Sequence, residues 1–560
     1  MKKIWIFAAI LVCIACVLTA CKGKQPANEE NDEDAATRAR IRALYGENKT
    51  ITDGNYDQSL AVKCINGTFV GKKADGIIAY RGIPYVGQQP VGELRWKAPV
   101  DAVPRDSVYE AYYNGKTAFQ PEVEDASYYY QGEDCLYLNV WKAAPSSGGT
   151  GRGLPVIVWI HGGAYEYGGT VDPLYDFHNF VAENPEVIVV SVAYRLGVFG
   201  FLHLSHLPDG KDYPDAQNLG LMDQLMALKW VHENIAGFGG DPANVTIMGE
   251  SAGGGSVTQL SLIKGSHQYF QKVIALSGSP ALSRSTEKAV ACTNELMDTL
   301  GCKTVADLQK VNAATLLSTA SALFAMRTAP ERDGRLLPLN PWEAVANGAV
   351  KDITFLHGVN KDEMNFFLVE MDGPEPFNEW AAERKAMKLS PLTDEERALA
   401  EGFFSDVKGE SYEPYCRLFS QLMFNAPCMR LSEEQTRAGG KSYTYYFTVE
   451  SSVPLMKCAH GMALAPLFNH PDDTEDTGRV FDETFSKTMR RMWVQFATTG
   501  NPSVSADQSP DGKAHEWPLY DLKDKQVMVF DEFNIHPEKE SQRGIVDWDR
   551  TYFLANYYGF

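Results

Sequence analysis

The stretch Gly249-Glu250-Ser251-Ala252-Gly253-Gly254 decides how this chain is interpreted. Residues 245–248 before it are apolar and predict a short buried strand, and residues 252–263 after it are small and apolar enough to begin a helix. The order of strand, tight turn and helix places Ser251 at the tip of the turn. This arrangement is a nucleophile elbow.

Glycines on both sides of Ser251 fit the elbow. A serine at such a tip has a strained backbone, and Gly249 and Gly253 leave room for the neighbouring strand and helix. The turn exposes the hydroxyl, and the helix N-terminus offers free N–H groups, that of Ala252 among them, to a negative charge beside Oγ. Because G-x-S-x-G also occurs in ordinary glycine-rich turns, the rest of the chain must supply the partners of the serine.

Two continuous apolar runs, residues 154–160 and 187–194, predict strands buried on both faces of a sheet. The first run ends in His161-Gly162-Gly163-Ala164, where the backbone can approach a ligand closely. We expect the N–H groups of Gly162 and Gly163 to form an oxyanion hole; an ordinary strand-to-loop turn is the alternative. The pattern predicts an α/β fold with a doubly wound, mostly parallel central sheet.

Composition bounds the possible functions. The chain has 560 residues, 44% hydrophobic and 22% charged, which is ordinary for a globular protein with a large core. One large α/β domain with insertions, or two domains, would fit this length. The formal net charge of −20 argues against nucleic acid as a partner and against anionic substrates drawn in by long-range attraction.

The N-terminus has the pattern of an export signal. Lys2-Lys3 supplies positive charge, residues 4–18 are apolar, and Leu18-Thr19-Ala20-Cys21 resembles a bacterial lipobox, in which the chain is cut before the cysteine and Cys21 is lipidated. A plain secretory signal is the alternative. We expect an exported protein, lipid-anchored to the bacterial cell envelope on its periplasmic or surface face, with no further membrane-spanning stretch.

The cysteines do not predict a disulfide framework. Of ten, Cys13 and Cys16 leave with the signal and Cys21 would carry lipid, which leaves an odd number that cannot all pair. A bridge between Cys416 and Cys428 is conceivable. None of the cysteines has metal-ligand spacing, so we expect no metal.

Six motifs, in order along the chain, carry a resemblance to type-B carboxylesterases, the family that includes cholinesterases. They are Glu133-Asp134-Cys135-Leu136-Tyr137-Leu138-Asn139, His161-Gly162-Gly163-Ala164, Tyr194-Arg195-Leu196-Gly197, Asn218-Leu219-Gly220-Leu221-Met222-Asp223-Gln224, Phe238-Gly239-Gly240-Asp241-Pro242 and Gly249-Glu250-Ser251-Ala252-Gly253-Gly254. The match runs from about residue 60 to 530. It implies an α/β-hydrolase fold with helical insertions over the active site, a small-molecule ester substrate and no cofactor.

The sequence divides into three segments, and the resemblance implies a Ser-His-Glu triad in the third. Residues 1–20 would be a lipoprotein signal peptide, 21–59 an acidic flexible tether and 60–560 the α/β-hydrolase catalytic domain. The acid falls on Glu363, with Asp362 as the alternative, and the base on His460.

Two further residues belong beside this triad. Ser277 matches a position close to the triad in the family. Glu250 could be read as a catalytic acid, but we expect it to anchor the elbow.

The chain departs from the family in two places. The third residue after the base is usually glutamate and is Ala463 here, so the polar network behind the triad is either rebuilt or weaker. Cys135 normally pairs with an upstream cysteine, where this chain has Phe119-Gln120-Pro121. We expect that disulfide to be absent, which affects the loop over residues 87–132.

In this loop Tyr128-Tyr129-Tyr130 could line the substrate pocket, although packing is the commoner role of an aromatic cluster.

Three functions follow, from two classes. The first is a serine carboxylesterase acting on neutral esters, and the second is a deacetylase of sugars or other natural esters. The third is an adhesion or binding protein that keeps the fold with weak catalysis, since the family contains such members. Retention of Ser251, Glu363 and His460 argues against the third, and Ala463 is its only support.

Overall fold

A computed structural model of the chain describes residues 42–121, 130–145, 153–324, 327–386 and 412–543, together with Ala39, Asp394 and Ala398. The predicted signal peptide, Cys21, most of the tether, and Tyr128 and Tyr129 lie outside the described residues.

The described strands are β1 (Thr50–Ile51), β2 (Ala61–Cys64), β3 (Gly67–Val70), β4 (Lys72–Ala74), β5 (Ile77–Pro84), β6 (Val108–Glu110), β7 (Thr117–Ala118), β8 (Gln131–Gly132), β9 (Tyr137–Ala143), β10 (Leu154–Ile160), β11 (Ile188–Val192), β12 (Gly240–Glu250), β13 (Lys272–Leu276), β14 (Thr354–Asn360), β15 (Lys441–Phe447), β16 (Gln526–Asp531) and β17 (Asn534–Lys539).

The described α-helices are α1 (His178–Glu183), α2 (Gly197–Gly200), α3 (Leu219–Asn234), α4 (Ala252–Leu260), α5 (Thr286–Leu300), α6 (Val305–Gln309), α7 (Ala313–Phe324), α8 (Pro341–Ala346), α9 (Asn365–Glu370), α10 (Pro374–Ala386), α11 (Tyr412–Ser420), α12 (Ala426–Arg437), α13 (Leu464–Phe468) and α14 (Glu483–Thr499). A π-helical turn, Gln421–Asn425, joins α11 to α12.

The central sheet confirms the predicted mostly parallel α/β architecture. Its strand order is β17-β16-β15-β14-β13-β12-β10-β11-β9-β5-β4. The run from β16 to β11 is parallel throughout, and β17 at one edge and β9, β5 and β4 at the other pair antiparallel. Because parallel strands end at the same edge, the carboxyl ends of β12, β13 and β14 lie side by side.

Helices cover both faces of this sheet, as continuous apolar strands require. Along β10, Val158 points into one core with residues of α3 and α4, whereas Trp159 points into a second core with residues of α14. Side chains alternate between the two faces of a strand, so a run without polar residues is stable only when both faces are buried. A fully buried Val or Leu contributes about 1.5–3 kcal/mol.

Tight turns close two hairpins near the N-terminal end of the described chain. β2 pairs with β3 across the turn before Gly67, and β4 pairs with β5 across Asp75 and Gly76. Asp75 and Gly76 have φ of 46° and 82°. Two consecutive positive φ angles define a type I′ turn, whose twist matches that of the flanking strands.

One predicted strand begins later than the alternating pattern indicates. The alternation over residues 133–140 predicts a strand across that range, but β9 begins at Tyr137. The side chain of Glu133 forms an ion pair with Arg95 at 2.5 Å, and the N–H of Leu136 donates to the side chain of Gln89 at 2.9 Å. Side chains, rather than a neighbouring strand, therefore satisfy this segment, and sequence alternation could not reveal such partners.

The seven cysteines of the described residues are all free thiols, Cys135, Cys416 and Cys428 among them. Phe119, near the place of the family's missing cysteine, packs against Phe199 with ring centroids 5.9 Å apart. Among the described helices, none is both long and apolar enough to cross a membrane.

Candidate active site

The nucleophile elbow is present. β12 ends at Glu250, α4 begins at Ala252, and Ser251 between them has φ 55° and ψ −121°. A Cβ at Gly253 would lie 2.1 Å from the carbonyl oxygen of Ile160, and one at Gly249 would lie 2.4 Å from the Gly253 carbonyl oxygen. Only glycine fits at these positions, because no side-chain adjustment relieves a clash with backbone.

His460 and Glu363 form a buried hydrogen-bonded pair. Nδ1 of His460 lies 2.5 Å from Oε2 of Glu363, whose side chain is 0% exposed. The other carboxylate oxygen, Oε1, accepts the hydroxyl of Ser277 and the N–H of Asn360, both at 2.7 Å. The carboxylate is fixed on both oxygens, so it fixes the orientation of the imidazole in turn.

The sheet and one loop bring this pair together. Glu363 follows the end of β14, and Ser277, with φ 47°, follows the end of the neighbouring β13. His460 lies in the loop after β15, where its N–H donates to the Glu363 carbonyl at 3.2 Å. The side chain of Asn360 donates to the carbonyl of Ala459 at 2.6 Å and holds the loop against the strand end.

Nε2 of His460 faces a second carboxylate. It lies 3.1 Å from Oε1 of Glu250, with side chains 7% and 8% exposed respectively. The two atoms are close but not aligned for a hydrogen bond, and neither has a hydrogen-bond partner within the described structure. The structure therefore brings His460 to Glu363 and Glu250 but shows no hydrogen bond from Ser251 to His460.

The two carboxylates decide the charge of the imidazole. Burial lowers the pKa of His460, but the charges of Glu250 and Glu363 outweigh burial and raise it to about 9. Burial raises the pKa of Glu250 to about 7, against the opposing charge of His460. The site therefore favours an imidazolium flanked by carboxylates.

A third acid acts on His460 where the family's usual glutamate is missing. Ala463, which packs against the second core, supplies no charge. Asp476 is half-buried, and burial together with Glu475 and Asp473 raises its pKa to about 7. Its charge also raises the pKa of His460. Asp476 thus supplies an acidic group near the histidine from a different segment of the chain.

The glycine loop after β10 lies against the elbow. A Cβ at Gly162 would be 2.8 Å from the carbonyl oxygen of Glu250 and 3.2 Å from Cβ of Ser251. Gly163 has φ 98°. Among the described hydrogen bonds, none has the N–H of Gly162, Gly163 or Ala252 as its donor. These three groups, predicted as oxyanion donors, are available to a ligand beside Ser251.

His161 holds the start of the glycine loop. Burial lowers its pKa to about 4, so the ring is neutral at physiological pH. The ring stacks on Tyr194 with centroids 4.5 Å apart, and the hydroxyl of Tyr194 donates to the carbonyl of His161 at 2.9 Å. Tyr194, two residues after the end of β11, thereby fixes the glycine loop.

Aromatic side chains surround the imidazole. The ring centroids of Phe424, Phe367 and Phe366 lie 4.7, 5.8 and 6.3 Å from that of His460. Phe424 lies in the π-helical turn, a distortion frequent at functional sites. Tyr130, which we considered for the pocket, is 61% exposed and has no ring contact with His460 among the described residues.

Sequence reasoning missed several of these neighbours. Asn360 could have been found, because it is the last residue of the strand that Glu363 follows. Nothing in the local pattern indicates Asp476, Phe366 or Phe424, which reach the histidine only through the fold. No group of acidic, histidine or cysteine side chains in the described residues has the arrangement of a metal site.

Residues 58–543 match the model of the carboxylesterase family, and the chain belongs to that family. It is a carboxylesterase similar to para-nitrobenzyl esterase: it is 34% identical to the Bacillus subtilis enzyme over 85% of this chain and 96% of that protein. It is 29% identical to an acetylcholinesterase of Leptinotarsa decemlineata, over 84% and 81%. A solved carboxylesterase of Geobacillus stearothermophilus superposes with a TM-score of 0.76 at 32% identity, over 87% of this chain and 99% of that one.

Proposed function

We propose that the protein is a serine carboxylesterase that hydrolyses neutral carboxylic esters through an acyl-enzyme on Ser251. His460 is the general base and Glu363 its orienting acid. The observation that carries the proposal is the 2.5 Å hydrogen bond between Nδ1 of His460 and Oε2 of Glu363, beside a strained serine at a helix N-terminus. Carboxylate, imidazole and exposed serine in this order are the parts of a hydrolytic triad.

The geometry leaves Nε2 of His460 free for the serine. The base acts as a neutral imidazole, in which Nδ1 carries the proton toward the accepting carboxylate of Glu363 and Nε2 keeps its lone pair. Nε2 has no hydrogen-bond partner within the described structure. It takes the hydroxyl proton of Ser251 as Oγ attacks the ester carbonyl, and returns that proton to the departing alcohol. Water then attacks the acyl-enzyme with the same base.

The N–H groups of Gly162, Gly163 and Ala252 stabilise the oxyanion. None of them donates within the described hydrogen bonds, so binding the oxyanion breaks no internal bond. Removal of a side-chain oxyanion donor from subtilisin costs about 3–4 kcal/mol of transition-state stabilisation, which sets the scale for each of these donors.

Charge and shape support neutral, apolar esters as substrates. Glu250 and Asp476 lie near His460 and disfavour a carboxylate on the substrate. Phe366, Phe367 and Phe424 offer an apolar wall. A deacetylase of sugar esters is distinguished from this reading by comparing acetylated sugars with aryl butyrates.

The test is hydrolysis of para-nitrophenyl acetate and butyrate by the full chain, beside Ser251→Ala and the exposed control Ser318→Ala. We expect Ser251→Ala to lower kcat by roughly 10⁴-fold or more, and Ser318→Ala to leave it unchanged. A fluorophosphonate should label the Ser251 peptide in mass spectrometry. A folded but inert and unlabelled wild type would contradict the triad and favour a binding role.

The proposal includes a lipid anchor on Cys21, which keeps the enzyme at the bacterial cell envelope. It is supported by the sequence Leu18-Thr19-Ala20-Cys21 after an apolar run. Cys21→Ser should move the protein from the membrane fraction to the soluble fraction and abolish incorporation of labelled palmitate. Membrane retention of this variant would contradict the anchor.

A further inference from the structure

A second hydrogen-bonded serine, histidine and glutamate lie outside the site described above. Oγ of Ser205 is 3.0 Å from Nε2 of His203, and Nδ1 of the same ring is 2.8 Å from Oε2 of Glu331. We propose that these three residues form a second nucleophilic site, on the surface of the protein, that accepts acyl groups from small activated esters.

Solvent exposure increases from Glu331 through His203 to Ser205. The side chain of Glu331 is 1% exposed and that of His203 10%, whereas Ser205 is exposed. A general base held by a buried carboxylate beside an exposed hydroxyl is the arrangement that activates a serine. Because Glu331 accepts at Nδ1, Nε2 is the acceptor for the hydroxyl of Ser205.

Helix α5 holds the carboxylate of Glu331 and the backbone of His203. Oε1 of Glu331 accepts the hydroxyl of Thr286 at 2.6 Å, so both carboxylate oxygens are occupied. The hydroxyl of Thr293 donates to the carbonyl of His203 at 2.8 Å. This second site therefore has the serine-to-histidine hydrogen bond that the Ser251 site does not show, together with a buried orienting acid.

The turn that carries Ser205 offers donors for an oxyanion. Residues 204–207 are closed by the hydrogen bond from the N–H of Leu207 to the carbonyl of Leu204 at 3.0 Å. The N–H groups of Ser205 and His206 are donors in none of the described hydrogen bonds. The N–H of the residue after the nucleophile is one of the oxyanion donors of serine hydrolases.

The reaction is a transfer of one acyl group. Oγ of Ser205 forms a bond to the carbonyl carbon of the ester while His203 Nε2 takes the hydroxyl proton. The bond from that carbon to the alcohol oxygen then breaks, and the alcohol leaves with the proton from His203. This acyl transfer requires no oxidant, metal or cofactor.

The test uses the full chain carrying Ser251→Ala, so that acylation of the elbow serine cannot interfere. The protein is incubated with para-nitrophenyl acetate, and acetylated peptides are quantified over time by mass spectrometry. We expect one acetyl group on Ser205, formed at least tenfold faster than on the exposed Ser318 of the same sample. Adding His203→Gln should slow acetylation of Ser205 about 100-fold.

Two further variants keep the result interpretable. Ser205→Ala changes an exposed residue and should abolish the burst of nitrophenol without changing the thermal midpoint. If Glu331→Gln does not fold, Thr286→Val takes its place. Thr286→Val removes one hydrogen bond from Glu331 and should slow acetylation of Ser205 severalfold. Equal rates at Ser205 and Ser318, or no effect of His203→Gln, would overturn the proposal. Every measurement is made on the chain carrying Ser251→Ala, so the result stands or fails independently of Ser251.

Discussion

Replacing Glu250 by glutamine should move the pH dependence of ester hydrolysis to lower pH. Oε1 of Glu250 lies 3.1 Å from Nε2 of His460, and its charge helps to raise the pKa of His460 to about 9. The proposed base must be neutral to accept a proton from Ser251. Loss of the carboxylate removes stabilisation of the imidazolium, so the neutral form should appear at lower pH.

The distance sets the size of the effect. At an effective dielectric constant of about 20, two unit charges 3.1 Å apart interact by about 5 kcal/mol, or about 4 pKa units. This is a ceiling, because glutamine keeps a polar group against the imidazole and the charge of Glu363 remains. The pKa of Glu250 is raised to about 7, so Glu250 is ionised where His460 titrates. We expect the apparent pKa of the acidic limb of the kcat/KM profile to be lower by about 1–2 units in Glu250→Gln.

The assay is kcat/KM for para-nitrophenyl acetate between pH 5 and 10, corrected for spontaneous hydrolysis. Glu483→Gln, at an exposed glutamate, serves as the matched control and should leave the apparent pKa of the acidic limb unchanged. Because Glu250 and His460 are both buried, the shift should persist at 0.5 M salt. The plateau should also fall, by roughly tenfold or more, since the carboxylate stabilises the imidazolium that forms during the reaction. A limb displaced by less than about 0.3 units would refute the coupling.

Three further substitutions test the proposed triad and oxyanion hole. Glu363→Gln should lower kcat by about 10⁴-fold with little change in KM, because the imidazole is then held in the wrong tautomer; steady-state kinetics on a variant with native circular dichroism checks this. Ser277→Ala removes one of two donors to Oε1 of Glu363 and should cost about 1–1.5 kcal/mol, or roughly tenfold in kcat; an unchanged kcat would contradict its role. Gly162→Ala would place a Cβ 3.2 Å from Cβ of Ser251 and should lower kcat at least 100-fold; single-turnover acylation measures it.

The central fold was predictable because its signals are local. An uninterrupted apolar run such as β10 is stable only between two covered faces, and glycines beside Ser251 are required by backbone clashes within a few residues. The prediction failed at the start of β9, where the side chain of the distant Gln89 satisfies the backbone instead of a strand. The alternation of apolar and polar residues cannot indicate a hydrogen-bond partner that lies far away in the sequence.

The candidate site was predictable only in part. The family resemblance marked Ser251, Glu363 and His460, and the structure joins the last two by a hydrogen bond. The resemblance did not indicate that Nε2 of His460 faces Glu250. Oε1 of Glu250 has no hydrogen-bond partner among the described residues, and the expectation that Glu250 anchors the elbow stays a prediction. A 3.1 Å approach depends on how a strand end and a distant loop pack.

The order of strands and helices, the turn at Ser251 and the types of the reactive side chains are predictable from local sequence, because periodicity and steric limits act over a few residues. The packing of distant segments sets the charge that Asp476 adds at His460, the ring contact of His460 with Phe424, and the meeting of Ser205 and His203 with Glu331. Charge interactions and hydrogen bonds fall off within a few ångströms. Which distant residues come that close is set by the packing of the whole chain.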